Sequence, residues 1–409
     1  MSELVTRFRR LWAELVPIGR RKEGGYDRFA WGEADAELRS WFHSEAAARG
    51  LAFEQDRNGN LWAWWGHDPS DGPPRAGSIA AGSHLDSVPG GGAYDGPLGV
   101  VSAFLALDEL RGAGHVPQRP IAVVAFTEEE GARFGVACLG SRLSVGELDP
   151  ARARALRDAS GVSLADAMRA AGADPAMIGE DGVRLSRLAA FIEVHVEQGR
   201  FLEAEGAPIG VATGIWPHGR WRLRFGGEPD HAGTAALGER RDPVLPFAET
   251  VLAARDAAHV HGGLATVGRA VLHPNATNAV AASVEAWLDA RARHEPVLES
   301  IVADVVARAE SAAARHGVTL AQFEESRTAA VAFDVALRRR VVDAVGVGVP
   351  EIETGAGHDA GVLAAKVPTA MLFVRNPSGV SHSPAERADE VDCVEGVRAL
   401  TRVLAVLSA

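Results

Sequence analysis

The 409-residue chain carries 42 Lys and Arg against 54 Asp and Glu, a formal net charge of -12, with 47% hydrophobic and 23% charged residues. That length predicts two or more domains, and the acidic balance argues against nucleic acid and anionic membranes, which select basic faces. Two cysteines far apart, Cys138 and Cys393, make no disulfide framework, so a reducing, cytoplasmic setting is expected. The charged start (MSELVTRFRRLW) lacks an apolar signal core, and no run approaches roughly 20 apolar residues, so neither a leader nor a membrane span is expected.

Leu4, Val5, Phe8, Leu11, Trp12 and Leu15 recur at helical spacing and predict an opening amphipathic helix. A second helix is expected over 33–49, stopping at Gly50. Residues 51–55 and 61–65 flank an Asp-Arg-Asn-Gly-Asn turn and predict a hairpin, with Trp62, Trp64 and Trp65 as packing residues.

A small apolar run over 78–82 predicts a buried strand ending on His84. Asp86 follows, then Gly90 to Gly92, Asp95-Gly96 and an apolar helix over 98–110. His84 and Asp95 have metal-ligand chemistry and lie beyond a strand end, where open α/β sheets place their sites. Asp86 is placed to accept the second ring N–H of His84, which would fix its tautomer and raise its basicity.

Residues 121–126 (IAVVAF) predict a strand buried on both faces, running into Thr127-Glu128-Glu129-Glu130-Gly131. Three carboxylates at the end of a buried strand are costly unless something positive sits there. Helical segments with polar linkers are expected over 143–185. The next strand, 188–197, turns Ile192, Val194 and Val196 one way and Glu193, His195 and Glu197 the other, with Gln198 following.

Composition changes over 208–220. Trp221, Leu223 and Phe225 alternate with Arg220, Arg222 and Arg224, predicting a half-exposed antiparallel strand. A loop through His231, a helix over 243–260, strands near 265–271 and 284–291, a helix over 296–316 and a strand over 318–325 follow. This β-α-β-β-α-β order predicts an inserted ferredoxin-like α+β module. The expected division is therefore 1–209, 210–325 and 326–409, the outer parts forming one α/β domain. In the last part, Thr354 to Ala360 reads as a loop opening a helix, 369–374 as a buried strand and 376–386 as a Gly/Ser/Pro loop carrying His382. A helix from Val394 closes the chain.

His84, Asp95, Glu129, Glu130, His195 and His382 thus collect at predicted strand ends. Nitrogen and carboxylate donors without thiolate suit Zn, Mn, Co or Ni. One carboxylate bridging two ions is the arrangement of hydrolytic two-metal sites. Glu129 and Glu130, pointing different ways, can divide the roles of metal ligand and general base.

The segments SHLDSVPGGGAYDGPLGV, EEGARF, EVHVEQG, DHAGT, TGAGHDAG and SHSPAE, in order between Gly82 and Glu386, resemble the group of N-carbamoyl-L-amino-acid hydrolases, allantoate amidohydrolases and β-ureidopropionases. That group lies within the dinuclear metallopeptidase clan of aminoacylases and bacterial carboxypeptidases. The resemblance implies a zinc-aminopeptidase-like mixed sheet flanked by helices, with the inserted module as lid and dimerisation domain. It implies two divalent ions bridged by Asp95, one also held by His84 and His195, the other by Glu130 and His382, with Glu129 as base. His231 would steady the oxyanion from the partner subunit of a homodimer, and Asn278 would touch the substrate carboxylate across the same interface. Arg291 would clamp that carboxylate, Gln198 would face the ureido or amide group, and Gly357 and His358 would line the pocket.

The chain departs from the group's usual pattern at Ala235-Ala236-Leu237, Trp216 to Arg220 and Arg375-Asn376. Arg375 or Arg220 is therefore a candidate reader of a second acidic group on the substrate, as His218 is for a side group. The expected reaction is hydrolysis of a linear C–N bond in a small carboxylate-bearing substrate. An N-formyl or N-acyl amino acid hydrolase, or a dipeptidase, is the alternative on the same scaffold; a catalytically silent metal-dependent binding protein is the alternative from another class.

Overall fold

The computed structural model describes residues 3–409 and divides into two compact units, Met1–Gly214 with Ala332–Ala409, and Ile215–Val331. The boundaries read from composition were 209/210 and 325/326. The strand Ile209–Ile215 continues the larger sheet almost to its end, and the strand Thr319–Thr328 continues the smaller one, which places both transitions a few residues later.

The larger unit is built on a nine-stranded mixed sheet among the described residues. Its order runs Ala52–Gln55, Leu61–Trp65, Ile121–Phe126, Ser78–His84, Leu188–Val196, Thr369–Val374, Ile209–Ile215 and Val331–Ala332, with Glu351–Thr354 also pairing Ile209–Ile215. The middle four strands are parallel, with His84 opposite Phe126 and His195 opposite Phe373. Three of these four have every residue buried, and Leu188–Val196 all but Ala189. Their unbroken apolar runs are what a sheet covered on both faces requires. Pro97–Gly112 covers one face. It is apolar almost all round and packs on the strand Ser78–His84 and on the C-terminal helix Glu390–Ser408. The short helices Leu139–Val145, Pro150–Ala155 and Leu164–Ala170 gather a separate apolar cluster with Phe134 and Ile178.

The hairpin between Ala52–Gln55 and Leu61–Trp65 pairs as expected, and Trp62 and Trp64 are buried and stacked. Its turn folds around Asp56. That carboxylate accepts the main-chain N–H of Asn58 and Asn60, the Asn60 amide and the Trp62 indole, all at 2.9–3.0 Å. Asn60 Oδ1 then accepts Thr127 N–H at 3.0 Å, so the hairpin anchors the start of the acidic loop.

The second unit is a four-stranded antiparallel sheet in the order Thr319–Thr328, His218–Gly226, Ser283–Ala292, Gly263–His273. Helices Val244–His261 and Glu295–Arg315 pack on one face, against Trp221, Leu223, Phe225, Val284 and Leu288. Arg220, Arg222 and Arg224 alternate onto the other face, where Arg222 pairs with Glu285 and Glu325. Helices linking strands one to two and three to four give the ferredoxin-like order.

Asp56→Ala strands four buried donors, so we expect about 2–4 kcal/mol of destabilisation, read as a lowered urea midpoint. An unchanged midpoint would show that these bonds carry no net stability. Gly96, the residue before the helix Pro97–Gly112, has φ +86° and ψ -62°, and an ideal Cβ there would lie 2.5 Å from the His84 ring. We expect Gly96→Ala to lose at least about 2 kcal/mol, seen as a lower melting temperature, through backbone strain and this clash together.

Candidate metal centre

The parallel strands end at one edge of the larger sheet, and the loops leaving that edge carry the polar residues. Two imidazoles are oriented there by main-chain carbonyls. His84 Nδ1 lies 3.1 Å from Asp86 O, and His195 Nδ1 lies 2.9 Å from Val196 O. A carbonyl only accepts, so Nδ1 carries a proton and Nε2 is the ring atom left to face the loops. Both Nε2 atoms are buried and have no hydrogen-bond partner. They converge on Asp95 Oδ1, at 3.4 Å from His84 and 3.1 Å from His195.

The other oxygen of Asp95 faces a second group. His382 Nε2 lies 3.7 Å from Asp95 Oδ2 and 3.3 Å from Glu130 Oε2. Within each of the groups His84/Asp95/His195 and Asp95/Glu130/His382, the ligand atoms lie within 4.8 Å of one another. Gln198 Nε2 and Ser381 Oγ each donate to Asp95 Oδ2 at 2.9 Å and fix the shared carboxylate. Glu129 Oε2 lies 3.7 Å from His84 Nε2 and belongs to neither group.

The charge balance favours a cation. Burial, then the charge of Asp95, pushes Glu130 up to about 8. Burial, partly offset by His84 and reinforced by Asp359 and Glu130, holds Glu129 well above the usual carboxylate range. Burial alone would lower His84, yet Glu129, Asp86 and Asp95 raise it well above an ordinary imidazole. Asp95 goes the other way: burial opposes its ionisation, but His195 and His84 hold it well below the usual range. Protons and divalent ions compete for these positions. Two unpartnered imidazole nitrogens beside a shared carboxylate and a further Glu/His pair fit borderline divalent metals.

Several expected roles are refined. The Asp86 carboxylate lies beside the His84 ring, Oδ1 at 3.5 Å from Nδ1, but the nearer acceptor is the main-chain oxygen of the same residue. The carboxylate oxygens accept the N–H groups of Glu129 and Glu130, both at 3.1 Å, while the main-chain oxygen takes the ring. Glu128 turns away from both groups, and its Oε1 accepts Arg133 and Phe134 N–H at 2.9 and 2.7 Å. Arg375 reaches Asp392 at 2.8 Å and Glu203 at 3.6 Å, and Arg220 reaches Asp289 at 3.4 Å. Both guanidinium groups thus face carboxylates of the protein itself, Arg375 the more closely. His218, whose Nδ1 lies 3.1 Å from Trp216 O, sits directly opposite Arg291 across two strands.

His358 is buried with its ring 4.5 Å from that of His195, and it forms a third group with Glu193 and His195. Gly357, preceding it, is exposed. Sequence reading gave no role to Glu193, Asp359, Ser381 or Glu386. Glu193 accepts Ser83 Oγ–H and Ala360 N–H, and Asp359 accepts Ser141 Oγ–H, all buried. The one available signal was that Glu193 shares its strand face with His195.

In the second unit, His231 and Asn278 come together across the short pair Asp230–His231 and Ala279–Val280, with Ala232 N–H donating to Asn278 O at 3.0 Å. Arg291 lies elsewhere. It pairs with His218 at one end of its strand, whereas His231 and Asn278 adjoin the Ser283–Gly226 end. At about 3.3 Å per residue the ends are about 25 Å apart. The Arg291 guanidinium contacts Asp289 at 2.7 and 3.1 Å.

The chain is similar to known proteins along nearly its whole length. The chain is 35% identical over 398 residues to the N-carbamoyl-L-amino acid amidohydrolase of Geobacillus stearothermophilus, covering 96% of each chain. It is 32% identical to the allantoate amidohydrolase of Escherichia coli strain K12, covering 98% of each. The crystal structure of AtUAH in complex with (S)-hydroxyglycine superposes with a TM-score of 0.89 at 29% identity, over 99% of this chain and 97% of that one. An amidase of the hydantoinase/carbamoylase family from Burkholderia vietnamiensis gives 0.89 at 30% identity, over 98% and 97%. With residues 80–406 matching the family model, a span that takes in both ligand groups, the chain belongs to peptidase family M20/M25/M40.

Proposed function

We propose that this protein is a metal-dependent amidohydrolase. It cleaves a linear C–N bond of an N-carbamoyl amino acid or of a ureide such as allantoate, releasing ammonia and carbon dioxide or the free amino acid. One observation carries this reading: Asp95 turns one oxygen to two imidazole Nε2 atoms and the other to a Glu/His pair, with Glu129 alongside. Relatives with amidohydrolase names over nearly the whole chain support the substrate class.

In this reading His84, His195 and Asp95 hold one divalent ion, and Asp95, Glu130 and His382 the other. Zn or Mn is preferred, and Co or Ni is compatible with the same donors. When bound, the ions acidify water and polarise a carbonyl. Glu129 takes a proton from the attacking water and delivers it to the leaving nitrogen as the C–O bond forms and the C–N bond breaks. Gln198 keeps its amide nitrogen on Asp95, so its buried, unpartnered Oε1 is available to a ureido N–H. Asp86 holds the Glu129-Glu130 backbone, and Gly357 and His358 line the pocket.

His231 steadies the oxyanion. Arg291 takes the substrate carboxylate bidentately, and Asn278 contacts the same group. No small substrate spans the separation between His231 and Arg291 within one unit, which supports a homodimer whose second copy supplies His231 and Asn278. The substrate is a small molecule, and the acidic chain with two unpaired cysteines is read as cytoplasmic.

Glu129→Ala should retain its metal content while kcat falls by about 100-fold or more. His84→Ala should lose metal as well as turnover. Metal analysis after dialysis separates the two, and near-normal turnover by Glu129→Ala would refute the assignment of the base. A second test follows substrate loss by chromatography, with ammonia release as the added signature of a carbamoyl or ureido substrate, for Mn- or Zn-loaded protein with a chelator control. N-carbamoyl amino acids or allantoate should be turned over faster than N-formyl amino acids, N-acetyl amino acids or dipeptides. The reverse ranking would move the protein to the acylase or peptidase reading, and tight metal binding without turnover of any of them would make it a binding protein.

A further inference from the structure

Glu386 has no part in the reaction as described, yet its carboxylate is buried, with the residue 7% exposed, and it joins two loops far apart in sequence. Its Oε1 accepts the main-chain N–H of Tyr94 at 2.7 Å and of Asp95 at 3.0 Å. Its Oε2 lies 3.5 Å from Ser381 Oγ, whose O–H donates to Asp95 Oδ2 at 2.9 Å. Glu386 N–H donates to Ser383 O at 3.0 Å, closing the turn that follows His382. The carboxylate fits because residue 92 is glycine: an ideal Cβ there would lie 2.3 Å from the Glu386 carboxyl group.

The loop leading to Asp95 contains Gly90, Gly91 and Gly92 and has little conformational preference of its own. A buried acceptor that takes two consecutive main-chain N–H groups removes that freedom at the residue where order matters. We propose that Glu386 is a positioning residue that locks the Asp95 loop to the His382 loop and so sets the spacing of the two ligand groups sharing Asp95. This rests on the two-ion reading above. Glu386 acts through Asp95 and His382 and touches neither ion nor substrate.

The test compares Glu386→Ala, Glu386→Gln and Gly92→Ala with the parent protein. Three quantities are measured: Zn or Mn affinity by competition with a chromophoric chelator, kcat and KM on an N-carbamoyl amino acid, and the melting temperature of metal-stripped protein. Gln keeps an oxygen for both N–H groups and turns a donor toward Ser381, so it should hold metal within about threefold of the parent, whereas Ala should weaken it by about 10- to 100-fold. Gly92→Ala should reproduce the Ala phenotype by displacing the carboxylate. In Glu386→Ala kcat should fall while KM moves by less than about threefold. The metal-stripped melting temperatures of the Ala and Gln variants should agree within about 3 °C.

Parent-like metal affinity in Glu386→Ala would overturn the positioning role while leaving the two-ion reading intact. So would a Gln variant as poor as Ala, or an Ala deficit matched by a lower metal-stripped melting temperature. A parent protein that binds neither Zn nor Mn would overturn both.

Discussion

Too much negative charge is buried in one place. Asp86, Asp95, Glu128, Glu129, Glu193 and Asp359 are all buried beside the edge where the parallel strands end, and only His84, His195 and His358 are buried there as imidazoles to answer them. An unpaired carboxylate in such surroundings costs several kcal/mol. The protein disposes of some by hydrogen bonding. Asp86, Glu128 and Glu193 each take main-chain N–H groups, which makes them struts for neighbouring loops. Asp95, Glu129 and Glu130 remain facing imidazoles and one another, and that residual imbalance suits a cation.

The frame that holds this charge is stiff where it needs to be. The acidic loop is tied at its start, since Thr127 N–H reaches Asn60 and Thr127 Oγ–H reaches Gly59 O, both on the hairpin turn. At its end the N–H groups of Cys138, Leu139 and Gly140 donate to the carbonyls of Glu129, Glu128 and Thr127. Glu128, Cys138 and His382 sit in the left-handed region at φ 55°, 53° and 56°, a conformation costing about 1–2 kcal/mol for a residue with a Cβ. For Glu128 and Cys138 burial and hydrogen bonds hold the conformation, and the result is a fixed aim for the side chains that follow.

Much of this was legible in the sequence. The buried strands announce themselves as unbroken apolar runs, and His84, the Glu128 to Glu130 cluster and His195 fall at or just past their ends. The alternation of Trp221, Leu223 and Phe225 with arginines marks a sheet with one open face. What escaped is what depends on long-range contact. Glu386 bonds to Asp95 across nearly the whole larger unit, and Asp359 meets Ser141 from the far side of the inserted module; no local pattern encodes either pairing. At Asp86 the ambiguity is local. Its side chain and main chain both offer acceptors near His84, and spacing alone does not say which one the ring takes.

The strand order also carries a consequence for how the molecule comes into being. Thr369–Val374 lies between Leu188–Val196 and Ile209–Ile215, although both neighbours are synthesised long before it. Until the C-terminal segment emerges, those two strands have a vacant lane between them and expose unsatisfied edges. His382 and Glu386 follow the missing strand directly, so the nascent chain closes its sheet and completes its cation cradle in one late event. The two ligand groups that share Asp95 are therefore brought together only once this last parallel strand has paired.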